Sequence, residues 1–113
     1  MTVRIKAKQS LGQNFLTDAN VADNIVSAMQ LKSNDIVVEI GPGRGMLTKR
    51  ICGCAKKCIA LEIDQRLIHD LEDKFTDADN IKVIHQDVLK FDFSSVARKN
   101  KVKVVGNIPY HIT

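Results

Sequence analysis

The run from Ile36 to Thr48, IVVEIGPGRGMLT, limits the fold more than any other part of the chain. An apolar, β-branched stretch (Ile36, Val37, Val38, Ile40) breaks into glycines at alternate positions, Gly41, Gly43 and Gly45, and then into a helix-compatible segment. That pattern is strand, tight turn, helix. Glycines permit positive φ and, lacking Cβ, let a ligand lie against the loop. Glycines at such a turn also serve purely steric ends, so the downstream chain has to decide between the two.

With 113 residues, 44% of them apolar, the chain has enough material for one core. No apolar stretch approaches the ~20 residues of a membrane span, and the charged N-terminus lacks the apolar centre of a secretory signal. A cytoplasmic location is expected. The net charge of +4 fits an anionic partner such as RNA without requiring one. Cys52, Cys54 and Cys58 are clustered, but there is no fourth cysteine and His69, His85 and His111 are distant in sequence. The reading is reduced structural thiols and no metal.

Residues 1–17 are basic and then polar, and read as an extended or mobile arm. Thr17 or Asp18 can cap a helix over Ala19 to Gln30 whose apolar face is Val21, Ala22, Ile25, Val26 and Met29. After the glycine loop a short helix is predicted over Met46 to Cys52, closed by Gly53. Cys58 to Ile63 is a buried strand carrying Glu62 near its end. Asp64 then caps a helix over Gln65 to Phe75. Ile81 to His85 is a third strand, leading to Asp87, and Val102 to Val105 a fourth, leading to Asn107-Ile108-Pro109-Tyr110. Alternating strands and helices predict an α/β fold with a parallel sheet, on which ligands sit beyond the carboxyl ends of the strands. That rule brings Gly41, Gly43, Glu62, Asp87 and Asn107 to one crevice.

Glu62 lies 21 residues after Gly41, about the spacing at which an acid accepts from both ribose hydroxyls in dinucleotide-binding folds. An adenosine-containing ligand follows, either NAD or S-adenosylmethionine. Charge separates them: Glu39, Glu62 and Asp87 suit a cationic ligand and an adenine amino group better than a pyrophosphate. The third glycine also comes one residue early for NAD. S-adenosylmethionine is therefore favoured. Singly, Glu39 or Asp87 is as readily a capping or surface carboxylate. In the last motif, the Asn107 side-chain oxygen and the Ile108 carbonyl can accept from the two N–H groups of an adenine, favouring a tetrahedral nitrogen with its lone pair free to attack. Pro109 fixes the backbone of Ile108 as extended, and Tyr110 can stack on an unstacked base. Alone, this motif is also an ordinary turn closing a strand.

Leu11-Gly12-Gln13-Asn14-Phe15-Leu16, Glu39 to Thr48, Glu62-Ile63-Asp64, Gln86-Asp87 and Asn107-Ile108-Pro109-Tyr110, in this order, resemble the ribosomal RNA adenine N6,N6-dimethyltransferase family. The small-subunit (16S) branch is the nearer, with the large-subunit (23S) macrolide-resistance methylases as relatives. The resemblance implies a Rossmann-like, S-adenosylmethionine-dependent fold. It implies that Asn14 and Leu16 close over the cofactor, that Gly41 contacts its methionine part and that Glu62 takes the ribose hydroxyls. Ile63 would pack on the adenine, Asp87 would accept from its amino group, and Val88 joins this cofactor-binding set with Glu39 and Gly43. Asn107 would lie between cofactor and target base, with Tyr110 stacked on that base. Family members continue into further strands and a helical RNA-binding domain, so the chain is expected to be an N-terminal piece. Such a piece would retain weakened cofactor binding and have little or no methylation activity. Its fourth strand is expected to form an open edge that invites self-association, the full-length protein being a monomer. A ribosome-assembly role with methylation secondary, and an NAD dehydrogenase, are the competing readings.

Overall fold

A computed structural model of the chain describes residues 2–7, 17–97 and 102–108, with side chains described for 17–97 and 102–106. In chain order the elements are β1 (Thr2–Ala7), α1 (Ala19–Met29), β2 (Ile36–Ile40), α2 (Met46–Cys52), β3 (Lys57–Glu62), α3 (Gln65–Lys74), β4 (Ile81–His85), a 3-10 turn (Val88–Lys90), α4 (Ser94–Ala97) and β5 (Val102–Ile108). The strands form one parallel sheet in the order β1-β5-β2-β3-β4.

The centre of the sheet follows from sequence. All of Ile36 to Glu39 is buried, as in a strand covered on both faces. Period-two alternation sends Val37, Cys58 and Val105 to one face, where Ala22 and Met29 of α1 and Leu47 and Ile51 of α2 pack on them. It sends Val38, Ile59, Leu61, Val102 and Val104 to the other face, covered by Val88, Phe91, Phe93 and Val96. Phe91 and Phe93 meet edge to face, ring centroids 5.0 Å apart. The helix starts are fixed locally. Asp18 accepts from the backbone N–H groups of Asn20 and Val21, and Asp64 accepts from that of Arg66. At the opposite end of the sheet, buried Asp35 is 3.1 Å from Lys103 Nζ, which also donates to the carbonyls of Met29 and Gln30. This cation ties β5 to the end of α1.

Four expectations need correction. Thr2–Ala7 is not a free arm but the edge strand β1, paired with β5 from Thr2↔Lys103 to Ala7↔Ile108. Its sequence alternates apolar and charged residues, a strand period that the density of cations obscures. Among the described residues the sheet therefore has five strands, and the predicted fourth strand is the fifth. That strand is also no open edge, because β1 lies on one side of it and β2 on the other. Among the described residues the edges are β1 and β4. Finally, β5 runs on through Gly106, Asn107 and Ile108, three residues beyond the strand end expected at Val105. The helix over residues 94–97 was not foreseen. Gly53 does close α2, but with φ −74°, so its conformational freedom is not what ends the helix. No helix among the described residues is long and apolar enough to cross a membrane.

Candidate active site

From β2 the chain builds outward to β3 and β4, then returns to the other side of β2 as β5. The reversal leaves a crevice beyond the carboxyl ends of these strands, the place where open parallel sheets take ligands. Ile40 is level with Gly106, so Asn107 stands beside Gly41 at the mouth.

All three loop glycines have positive φ, 66° at Gly41, 60° at Gly43 and 85° at Gly45. The Gly41 N–H donates to the Leu61 carbonyl at 2.9 Å, which ties the loop to β3. Gly45 has a different task. A Cβ there would stand 2.7 Å from Phe75 Cε2 and 3.1 Å from Leu71 Cδ2, so this glycine lets α3 close against the loop.

Glu62, the last residue of β3, is the centre of the crevice. It is buried, and its two carboxylate oxygens accept from different backbones: Oε1 from Gly43 N–H at 3.4 Å and Oε2 from Asp64 N–H at 3.0 Å. The carboxylate thus spans the glycine loop and the start of α3. Each of its oxygens retains a second lone-pair direction for a ligand hydroxyl. Ile63 follows it, 69% exposed despite being large and apolar. The His85 ring donates from Nε2 to the Ile63 carbonyl at 3.0 Å, fixing the backbone that presents this side chain. Asp87 is exposed and caps the 3-10 turn by accepting from Leu89 N–H at 2.9 Å, while Val88 packs partly into the core.

Glu39 is placed otherwise than its charge suggests. It points to the face covered by α2, is only 2% exposed, and accepts a hydrogen bond from the Thr48 hydroxyl. The Cys58 thiol lies 4.0 Å from it. Burial pushes the Glu39 carboxyl up to about 7; the Thr48 hydrogen bond opposes this and the nearby charge of Glu62 adds to it. A carboxyl that titrates at 4.5 when unfolded and near 7 when folded binds its proton more tightly in the native state. Stability then falls as pH rises across that window, by about 2–3 kcal/mol. Denaturant titrations at pH 5 and pH 8 test this, and Glu39→Gln is expected to flatten the difference.

Gly41, Gly43, Glu62 and Ile63 are thus brought together, with the backbone of Asn107 beside them. Asp87 and Val88 follow β4 on the same edge of the sheet, and Glu39 lies beneath the loop. Asn14, Leu16, Pro109 and Tyr110 fall outside the described residues, as do the side chains of Asn107 and Ile108. His85 and Thr48 were missed by the sequence reading. His85 carries a signal, since it is level with Glu62 at the end of the neighbouring strand. Burial pushes the Cys58 thiol up, with Glu39 and then Cys52 adding to the rise. Among the described residues no three His, Cys, Asp or Glu side chains gather as metal ligands.

The model of the family described as ribosomal RNA adenine dimethylase matches residues 4–113. The chain is 46% identical over 114 residues to ribosomal RNA small subunit methyltransferase A of Leuconostoc mesenteroides, covering 96% of this chain and 39% of that protein. Among solved structures it is similar to 23S rRNA methyltransferase ErmE (33% identity, TM-score 0.79, 88% of this chain and 39% of that one). It is also similar to a dimethyladenosine transferase from Plasmodium falciparum (35% identity, TM-score 0.74, 86% and 34%). It therefore spans about two fifths of the length of the curated relatives it matches. The architecture is the Rossmann-like one of these methyltransferases, and the chain belongs to the ribosomal RNA adenine dimethylase family.

Proposed function

We propose that this chain supplies the S-adenosylmethionine site of an enzyme that dimethylates N6 of adenines in small-subunit (16S) ribosomal RNA. The observation that carries the reading is the Glu62 carboxylate, locked between the glycine loop and the turn into α3 by two backbone N–H groups. An anionic, preorganised acceptor at this position fits the two ribose hydroxyls of an adenosine, and the family match favours S-adenosylmethionine over a dinucleotide as its carrier. Exposed Ile63 supplies an apolar face for the adenine ring, and Asp87 an acceptor for its amino group. Gly41 and Gly43 let the methionine part approach the backbone. The family resemblance gives Asn14 and Leu16 the role of closing over the cofactor. When bound, the cofactor's sulfonium offers a methyl group to an attacking nitrogen.

The chain's own residues prepare that nitrogen. The Asn107 side-chain oxygen and the Ile108 carbonyl accept from the adenine amino group, Pro109 holds that carbonyl in place, and Tyr110 stacks on the base. Acceptors that localise the nitrogen lone pair stabilise charge that develops only in the transition state, so no strong general base is required. The higher identity to a small-subunit enzyme than to the 23S methylase ErmE favours the 16S target. Calorimetric titration of the chain with S-adenosylmethionine and, separately, NAD tests the reading. Binding of the first alone is expected, and binding of NAD alone would overturn it.

A further inference from the structure

We propose that a second groove, between α2 and α3 on the outer side of the glycine loop, docks the sugar–phosphate backbone of the RNA substrate. The proposal rests on the ribosomal RNA reading above. The groove has a volume of about 630 Å³, and four cations line it: Arg44, Lys49, Arg50 and Lys74. No acidic residue is among its lining residues, and Asp23, outside the lining, offsets part of the charge of Arg50 alone. Two of the cations are held in place. Lys74 Nζ donates to the Arg44 carbonyl at 2.5 Å, across from α3 to the loop. Arg50 donates from Nη1 to the Met46 carbonyl at 3.0 Å and from Nε to Asp23 at 2.6 Å. Cations already anchored lose little side-chain freedom when a phosphate arrives. Lys49 is exposed beside them.

Between the cations the floor is apolar, formed by Met46 and the Phe75 ring. Alternating charged and apolar contacts match a strand of phosphates and riboses. Position gives the occupant. Gly45 lines this groove and belongs to the same loop as Gly43, whose N–H holds Glu62. The groove and the cofactor crevice thus share the glycine loop between them. Contacts of this kind fix register and carry no sequence information.

The test is fluorescence anisotropy of a labelled RNA hairpin with unpaired adenines in its loop, titrated with the chain between about 50 and 200 mM salt. Lys49→Gln combined with Lys74→Gln is expected to lower RNA affinity about tenfold and to flatten the dependence of log K on log salt by about 1.5. S-adenosylmethionine affinity, read by calorimetry, is expected to stay unchanged in Lys49→Gln alone, a change at an exposed side chain. Should the double variant fail to fold by circular dichroism, Lys49→Glu, a change at an exposed side chain, is expected to give the same loss. Unchanged RNA affinity and slope in the folded variants would overturn the proposal. So would a wild-type chain that binds S-adenosylmethionine but not RNA, and so would displacement by polyglutamate as effective as by RNA, which assigns the groove to an acidic protein. Wild-type binding of NAD in place of S-adenosylmethionine would instead strike the underlying reading.

Discussion

If Glu62 takes the ribose hydroxyls as proposed, replacing it with alanine is expected to lower S-adenosylmethionine affinity at least about 100-fold, since two charge-assisted hydrogen bonds are removed together. The loss has a second origin in the protein itself. Without the carboxylate, the N–H groups of Gly43 and Asp64 lose their common acceptor, and the loop is no longer tied to the start of α3 through this side chain. Glu62→Gln separates the two contributions. Its amide keeps one acceptor oxygen but turns a donor toward the other backbone N–H, so an intermediate affinity is expected. Titration calorimetry on both variants, with circular dichroism to verify the fold, makes the comparison. An alanine variant that binds as tightly as the parent would remove Glu62 from the site.

The largest effect on stability is expected at Gly45. Its φ of 85° costs any other residue about 1–2 kcal/mol, and a Cβ would meet the Phe75 ring at 2.7 and 2.9 Å. Gly45→Val is expected to destabilise by about 3–5 kcal/mol, read from urea midpoints. A double-mutant cycle with Phe75→Ala apportions the cost: removing the ring relieves the contact and leaves the backbone strain. Full additivity of the two changes would show that Phe75 is not what confines residue 45.

The elements legible in the sequence are those with one strong local pattern. Ile36 to Ile40, Ile81 to His85 and the helices behind Asp18 and Asp64 stand where their periodicity and caps put them. The same logic grouped Gly41, Gly43 and Glu62 correctly, because strand ends in a parallel sheet share an edge. What was not legible depends on contacts between distant residues. Thr2–Ala7 alternates like a strand, but only its pairing with β5 fixes it as one. The reason for Gly45 lies in Phe75, thirty positions on, and cannot be read from the loop. Glu39 looks like a site carboxylate from its spacing, yet period-two alternation turns it to the α2 face, where the Thr48 hydroxyl meets it. His85 escaped notice because its task is performed by one ring nitrogen on a backbone carbonyl across a strand register.

The strand order has a bearing on how the protein comes off the ribosome. β2, β3 and β4 are consecutive both in the chain and in the sheet, so they can assemble as they emerge. β1 cannot join them until β5 has been made, because β5 is its neighbour: Thr2 pairs with Lys103. Contacts of such long range are slow to close. The N-terminal segment must wait through the synthesis of some hundred residues, several seconds at about 5–20 residues per second. During that interval β2 presents a bare inner edge, and the arrival of β5 both covers that edge and creates the place where β1 can dock.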